Sequence, residues 1–433
     1  MFKNISRSNL IFFGGALLVF VVVQVLVSTQ ILSTFWLTLI RVGAVMAIVS
    51  LGLNLIYGFN GQFSLGQWGF YAIGAYAAAD VTWHWYNNRS AIALVILLLV
   101  TGLSGAAILL LRRSLIRIRG LDALSQFSLY LIVVLALGFV SVYIGGLVEP
   151  VVSGLLQALP SAISMQIVFV FAVLLGGLLA AEISFLFGLP ILTLGSDYFG
   201  IATLGFTIIV KVLLDNSDTM LGFVEMKGAR GMIGIPRLTS WFWVFFFLFI
   251  VVLITRNLLH SSYGRAIVSV REDETAAKAM GIDIAHYKTL TFVLGSFFAG
   301  IAGGLYGHIN GFLHPNEFNF IQSFNPMIIV VFGGLGSVTG TLSASFLWAL
   351  ILEGVLRLIL PQGFETWRFV VYPLLLLLLM LLKPKGLFGD FEIPFLRQLL
   401  PPLSPTAQTR FESEAMKKIP LTGDTTSTPE VIE

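Results

Sequence analysis

The sequence contains no cysteine, and only 11% of its 433 residues are charged. The absence of cysteine excludes a disulfide scaffold and any site built on thiolate ligands. Soluble domains carry about 25% charged residues, so a chain this poor in charge cannot cover a surface exposed to water. The hydrophobic content of 57% indicates instead that lipid surrounds most of the folded chain.

Several functional signatures are also missing. The net charge is only +3 and no basic stripe occurs, which makes nucleic acid a poor partner hypothesis. No G-x-x-x-x-G-K-[ST] loop is present, so the chain cannot hold nucleotide phosphate by that route. Because no nucleophile with a base, pair of acids or set of metal ligands can be assembled, we expect no catalytic residue, cofactor or metal site. In particular, His84, His308 and His314 lack metal-ligand spacing.

Long apolar runs predict an all-α fold, a polytopic membrane helix bundle with about 9 to 12 transmembrane or re-entrant helices. The runs are too continuous for the alternating pattern of a membrane β-barrel. Segments 63–83 and 198–214 and the pair within 326–360 are short or broken by glycine, which leaves both full spans and re-entrant half-helices open there. The predicted segments lie near residues 10–30, 34–57, 63–83, 91–111, 127–147, 164–188, 198–214, 240–259, 288–309, 326–345, 346–360 and 367–383.

Basic residues predict the orientation. Four clusters fall on one side of the twelve segments, namely Lys3 with Arg7, the arginines of 112–119, the loop 256–288, and Lys383 with Lys385. Because short cytoplasmic loops collect Lys and Arg, we expect a multi-pass protein of the inner (plasma) membrane with both termini in the cytoplasm. Residues 1–390 form the predicted membrane domain. The segment 391–433 is rich in Pro, Ser, Thr and charge, so we expect a disordered cytoplasmic tail.

The charged loop 256–288 has the sequence pattern of a short helix. Ser269 and Glu272 form an S-x-x-E capping box, Gly281 stands where a left-handed residue ends a helix, and Asp283 is placed to cap the next one. One interpretation is a solvated loop whose charges keep it out of lipid. The other is a rigid helix presented to a soluble partner, which could transmit motion to the membrane helices.

At this loop the chain resembles the permeases of ATP-binding-cassette importers. Their E-A-A-x-x-x-G signature is matched by Thr275, Ala276, Ala277 and Gly281, with Thr in place of Glu. The longer stretch 264–304 is similar to the branched-chain amino acid permease family. Four further blocks are similar to that family and lie at 52–76, 195–206, 333–340 and 384–387.

The resemblance implies a permease subunit of an importer for branched-chain or other neutral amino acids. It implies separate cytoplasmic ATPase subunits, a homologous permease subunit and an extracytoplasmic substrate-binding protein as partners, besides the lipid bilayer. Tyr86 and Leu192 stand further apart than in the family, so we expect an inserted helical region at about 87–187. The residues expected to couple to the ATPase are Arg271, Glu272, Asp273, Glu274, Thr275, Ala276, Ala277 and Gly281.

A translocation pathway is predicted where glycine and polar residues interrupt apolar helices. Helix packing in lipid alone explains many such glycines. Broken helices also present the backbone N–H and C=O groups that a zwitterionic amino acid needs. Asp197 adds an intramembrane charge at the start of a family-like block. The predicted pathway residues are Asn60, Gly61, Ser64, Gly66, Gln67, Asp197, Tyr198, Thr203, Gly205, Gly334 and Gly336.

Two alternatives stay open from the sequence. Closely related permeases carry urea and short amides, and the pathway residues do not separate these cargoes from amino acids. An ion-coupled secondary transporter is an alternative of another class, which needs an acidic or carbonyl cluster at mid-membrane and no soluble partner. The scarcity of charge at the centres of the spans argues against the second alternative.

Overall fold

The computed structural model describes residues 7–29, 33–115, 123–192, 196–220 and 222–356, together with 374, 377, 381–383, 386–387 and 392–393. Thirteen α-helices and one pair of short antiparallel strands form within these residues. They are α1 (Arg7–Ser28), α2 (Thr34–Leu53), α3 (Gln67–Asn88), α4 (Ile92–Leu115), α5 (Ala123–Gln157), α6 (Ser161–Ile191), α7 (Ser196–Asp215), β1 (Met232–Ile233), α8 (Trp241–His260), α9 (Ser262–Glu272), α10 (Glu274–Ala279), α11 (Ile284–Asn310), β2 (Phe312–Leu313), α12 (Phe324–Gly333) and α13 (Val338–Trp348).

The predicted all-α membrane bundle is confirmed. Seven of the described helical segments are long and apolar enough to cross a bilayer. Two shorter apolar helices follow at Phe320–Gly333 and Val338–Leu352. The crossing segments are Thr34–Phe59, Ile92–Leu111, Ser125–Gln157, Ser161–Ile191, Tyr198–Asp215, Trp241–His260 and Ile284–Asn310.

Helix boundaries differ from the sequence-based prediction in the segment 326–360. The helix breaks after Gly333 rather than near residue 345, because Gly334 and Gly336 have φ angles of +114° and +80° that side chains with a Cβ rarely adopt. At 10 residues, α12 is about 15 Å long and reaches across only half of a bilayer. Here the predicted half-helix is found.

Elsewhere the structure has full-length helices rather than half-helices. Helices α3 and α7 contain 22 and 20 residues, about 30 Å each, because their glycines lie in regular helix rather than at breaks. Helix α5 runs to Gln157 through Pro150, ten residues beyond the predicted end, since the apolar run continues there. The predicted segment 367–383 and the predicted tail 391–433 lie almost entirely outside the described residues.

The centre of the bundle is a three-helix contact made by glycines of α3, α6 and α11. A Cβ at Gly74 would lie 2.1 Å from the carbonyl oxygen of Gly300, and one at Gly303 would lie 1.9 Å from the carbonyl oxygen of Tyr71. A Cβ at Gly176 would lie 2.9 Å from the carbonyl oxygen of Gly74. The backbones therefore touch directly, which is how small residues associate helices in lipid.

The two ends of α11 define two faces of the molecule. Its first residue follows the charged loop that contains α10, and its last turn leads into β2. Strand β2 pairs with β1, with Met232 opposite Leu313. With 27 residues, α11 separates these two features by about 40 Å. We call them the α10 face and the ribbon face.

Candidate coupling and pathway site

Helix α2 ends in a distorted turn that opens the predicted pathway segment. The chain continues from α2 into a π-helical turn at Asn54–Phe59, and Gly61 then takes a φ of +77°. Residues 61–66 contain no regular helix, and α3 starts at Gln67. Asn60, Ser64 and Gln67 are all buried. The predicted interruption is therefore present, and its polar side chains face the inside of the protein.

Two of these side chains leave polar atoms without partners. Asn60 Nδ2 donates to Gln62 Oε1 at 3.0 Å and to Thr291 Oγ1 of α11 at 2.8 Å. Asn60 Oδ1 and both amide atoms of Gln67 have no hydrogen-bond partner in the described part of the chain, although they are buried. Leaving such an atom unpaired costs about 1–3 kcal/mol, so its burial calls for a ligand or water.

Helix α7 lies against the same interruption through threonine hydroxyls. The backbone N–H of Leu65 donates to Thr203 Oγ1 at 3.0 Å, and Thr207 Oγ1 donates to the Leu65 carbonyl at 3.2 Å. A Cβ at Gly66 would lie 3.0 Å from Thr203 Cβ, so glycine permits this close approach. The structure therefore brings the predicted residues Gly66 and Thr203 together.

Two other predicted residues of α7 show no such contact. Tyr198 is 68% exposed. A Cβ at Gly205 would meet no atom within 4 Å. The side chain of Asp197 lies outside the described residues. Only part of the predicted set therefore forms one cluster.

A buried asparagine that the sequence did not single out holds the late glycine turn. Asn54 Nδ2 donates to the Ser337 carbonyl at 2.9 Å and to Thr341 Oγ1 at 3.0 Å, and its Oδ1 accepts from the Gly336 N–H at 3.0 Å. All three of these hydrogen bonds go to the turn between α12 and α13 and to the start of α13. A lone asparagine inside an apolar run was the sequence signal for this clamp.

The charged loop 256–288, which we call the coupling loop, forms two short helices rather than the single predicted one. The predicted start at Ser269 is wrong, because its hydroxyl donates to the Ala266 carbonyl at 2.8 Å. Helix α9 instead begins after Ser261 and ends at Glu272, because Asp273 has an extended backbone conformation. Asp273 Oδ1 accepts from the N–H groups of Thr275 at 2.8 Å and Ala276 at 3.0 Å. A carboxylate is favoured at this position because it also interacts with the helix dipole.

The predicted end of the coupling helix is confirmed at Gly281. Its φ is +82°, its N–H donates to the Lys278 carbonyl at 3.0 Å, and the next N–H donates to the Ala277 carbonyl at 3.0 Å. This pair of bonds is a Schellman motif. Asp283 then accepts from the His286 N–H at 3.1 Å and begins α11, as predicted.

Arg271 joins the coupling loop to the membrane helices. Its Nη1 donates to the Gly58 carbonyl in the π-helical turn that follows α2, at 2.6 Å. A Cβ at Gly61 would lie 3.3 Å from Arg271 Cγ, and one at Gly336 would lie 2.9 Å from Arg271 Nη1. Two predicted pathway glycines, Gly61 and Gly336, therefore flank a residue of the predicted coupling set.

A second connection lies at the start of α11. Lys288 Nζ lies 2.5 Å from Glu274 Oε1 and links α11 to α10. Ala277 is the buried residue of α10. The other members of the predicted coupling set are exposed, namely Arg271, Glu272, Asp273, Glu274, Thr275, Ala276 and Gly281.

The last described residues return to the same face. The Leu387 N–H donates to the Phe332 carbonyl at 2.9 Å. Glu392 accepts from the Val338 N–H at 2.5 Å and from Thr339 Oγ1 at 2.7 Å, so its carboxylate caps α13. Residues 386–387 and 392–393 therefore lie beside the turn that Asn54 and Arg271 contact.

Comparison with known proteins places this sequence in a family. The family model described as "Branched-chain amino acid transport system / permease component" matches residues 35–117 and 119–381. The LivM permease protein of Escherichia coli K12 is 32% identical over 247 residues, which cover 49% of this chain and 56% of the relative. The LivH permease protein of Salmonella typhimurium is 29% identical over 181 residues, 42% of this chain and 55% of the relative.

A third relative aligns over a longer stretch. The BraD permease protein of Pseudomonas aeruginosa is 24% identical over 358 residues, 82% of this chain and 94% of the relative. By contrast, the chain spans little more than half the length of the LivM and LivH proteins. No solved structure matches the chain. Because the family match covers most of the sequence, this multi-pass membrane protein belongs to the branched-chain amino acid transport permease family.

Proposed function

We propose that the chain is the permease subunit of an ATP-binding-cassette importer that carries branched-chain or other neutral amino acids across the inner membrane. Cytoplasmic ATPase subunits, a homologous permease and an extracytoplasmic substrate-binding protein complete the proposed assembly. The names of the relatives, which are high-affinity branched-chain amino acid transport permeases, support this cargo. The single observation that carries the proposal is the exposed α10 and its two connections to membrane helices.

The surface of α10 is suited to docking a soluble partner. Met280, at the end of α10, is 83% exposed and follows the acidic segment 272–274. An exposed methionine on a rigid element fits an apolar groove, because its side chain is flexible and polarizable. The charged residues around it suit a polar rim that aligns the partner.

The connections of α10 give such docking a mechanical path. A force applied to α10 reaches α2 through the bond between Arg271 and Gly58, and reaches α11 through Lys288 and Glu274. The Gly58 carbonyl lies in the π-helical turn that leads into the buried segment 61–66. Movement of α10 by the ATPase would therefore displace the turn that leads into the proposed pathway segment 61–66.

Three features support assigning the α10 face to the cytoplasm. The basic clusters of the charged loop and of Lys383 belong to this face, in line with the excess of Lys and Arg in cytoplasmic loops. Residues 386–387 and 392–393 also lie at this face. Phe20 of α1 contacts Trp241 at the ribbon-face end of α8, with ring centroids 4.6 Å apart. We infer on these grounds that both termini lie in the cytoplasm.

The buried segment 60–67 is the proposed substrate contact. An amino acid carries a carboxylate and an ammonium, which need donors and acceptors in a water-poor site. Gln67 offers one unpaired donor and one unpaired acceptor, and Asn60 offers a further acceptor. Gly61, Ser64, Gly66 and Thr203 shape the backbone around them, and Asp197, Tyr198, Gly205, Gly334 and Gly336 complete the proposed pathway set.

Replacing Met280 by glutamate tests the docking proposal. We expect Met280→Glu to weaken ATPase binding by roughly 30-fold, because hot-spot residues contribute about 2 kcal/mol or more. The matched control is Met220→Glu, a methionine that is 68% exposed in the loop after α7, outside the coupling loop. The assay is co-purification of the ATPase together with ATP-driven uptake of labelled leucine into vesicles that contain the binding protein.

The outcomes separate the alternatives. Loss of the ATPase and of uptake in Met280→Glu alone, with both variants inserted in the membrane at the wild-type level, supports the proposal. Equal co-purification in both variants contradicts docking at α10. Uptake by this chain alone under an ion gradient favours a secondary transporter, and competition by urea but not by valine favours the amide cargo.

A further inference from the structure

Three potential metal ligands converge near the ribbon face, outside the coupling and pathway residues. Asp80 and His84 lie one turn apart on α3, and Glu225 comes from the turn Val224–Met226 between α7 and α8. His84 Nε2 lies 3.6 Å from Asp80 Oδ1 and 3.5 Å from Glu225 Oε1. One ligand atom from each of the three residues falls within 4.8 Å of the others.

The environment of Asp80 is an independent observation that points to a cation. Asp80 Oδ1 is buried, accepts no hydrogen bond from the described residues and lies 3.6 Å from His84 Nε2. Among the described residues, neither Asp80 nor Glu225 has a lysine or arginine within 4.0 Å. Two carboxylates held together in a partly buried place need a compensating positive charge, which a protonated His84 or a bound cation can supply.

The spacing of the ligand atoms fits a small divalent cation. Ligand bonds of about 2.0–2.2 Å in a tetrahedral site separate neighbouring ligand atoms by about 3.3–3.6 Å. The two distances from His84 Nε2, 3.5 Å and 3.6 Å, lie in this range. The three side chains are 17–20% exposed, so an ion can enter and water can take the fourth position.

We propose that Asp80, His84 and Glu225 form a binding site for a zinc-class divalent ion. One imidazole and two carboxylates suit such an ion. Trp83 packs edge-on against His84, with ring centroids 5.2 Å apart at 87°, and limits the orientation of the imidazole. The bound ion would join α3 to the connection between α7 and α8. It would therefore restrain the end of α3 relative to the connection between α7 and α8.

The sequence did not indicate this site, because only Asp80 and His84 share a helix and Glu225 is brought in by the fold. The inference is independent of the proposed transport function, since the cluster lies near the ribbon face and contains no coupling or pathway residue. It can be tested without ATPase or substrate.

Metal binding by the full-length, untagged chain in detergent tests the proposal. After treatment with EDTA, the protein is titrated with ZnCl2 by calorimetry, and its melting temperature is followed with and without zinc. We expect one zinc ion per chain and a rise in melting temperature, because an ion that binds only the folded state stabilises it. MgCl2 at the same concentration serves as the control ion, since Mg²⁺ prefers an octahedral oxygen site.

Variants identify the ligands. His84→Gln and Glu225→Gln should each weaken zinc binding by at least about tenfold, since even loss of an outer-shell partner costs that much. Glu225→Gln leaves α3 unchanged, so it stays informative if His84→Gln disturbs the helix. The matched control His260→Gln, at the end of α8 that joins the coupling loop, should bind zinc as the wild type does. Absence of zinc binding by the wild type, or equal affinity in all variants, would overturn the proposal.

Discussion

The bond between Arg271 and the Gly58 carbonyl makes a quantitative prediction about coupling. A hydrogen bond to a charged group contributes about 1.5–3 kcal/mol. Because the Arg271 side chain is 38% exposed, solvent screening favours the lower limit, about 1.5 kcal/mol. Removing this hydrogen bond in Arg271→Ala should shift the equilibrium between the coupling loop attached to Gly58 and the loop detached from it by about tenfold. We expect the amount of leucine imported per ATP hydrolysed to fall by up to that factor.

The assay compares uptake with ATP hydrolysis in the same proteoliposomes. The ATPase should still bind Arg271→Ala, because Met280 and the rest of α10 are unchanged, so hydrolysis continues while uptake falls. The control is Glu272→Ala, since Glu272 is 70% exposed and lies 3.9 Å from Arg271 Nε. A surface pair of this kind contributes about 0.5 kcal/mol, roughly a twofold effect. If Arg271→Ala keeps the wild-type ratio of uptake to hydrolysis, the connection to α2 carries no coupling and the reasoning fails.

Two further predictions concern glycines with different surroundings. Gly281→Val should abolish uptake whereas Gly281→Asn should retain most of it. The reason is that a φ of +82° costs a β-branched residue about 1–2 kcal/mol or more, whereas asparagine tolerates it. Equal uptake by the two variants, with equal membrane insertion, would contradict this prediction. Gly303→Ala should lower the melting temperature in detergent, since its Cβ would lie 1.9 Å from the Tyr71 carbonyl oxygen, whereas Gly102→Ala, with no atom within 4 Å, should not. Similar melting temperatures for both alanine variants would show that the backbone contact yields at little cost.

Helices were predictable from the sequence because long apolar runs have only one stable form in lipid. Their ends were predictable where a single residue decides the backbone conformation, as at Gly281 and Asp283. Prediction failed where two residues compete for the same role. Ser269 and Asp273 both suit a helix start, and the carboxylate of Asp273 satisfies two N–H groups whereas the Ser269 hydroxyl bonds back to its own helix.

The candidate site was predictable in composition but not in arrangement. Polar residues and glycines within apolar segments marked the segment 60–67 and the turn at 334–337. That Arg271 lies between Gly61 and Gly336 depends on how α2, α9 and α13 meet, and no local pattern records it. Asn54 was overlooked for the same reason, since its three partners lie far along the chain at Gly336, Ser337 and Thr341.

Under the proposed transport function, the glycine contact of α3, α6 and α11 limits which parts of the protein can move during transport. At Gly74, Gly176 and Gly303 backbone meets backbone directly, so no side chain can change rotamer there to absorb a displacement, and sliding by one turn would force Cβ atoms into carbonyl groups. We therefore expect the trio to behave as a stationary frame through the transport cycle. Opening and closing must then be carried by α7, held by the hydroxyls of Thr203 and Thr207, and by the half-length α12.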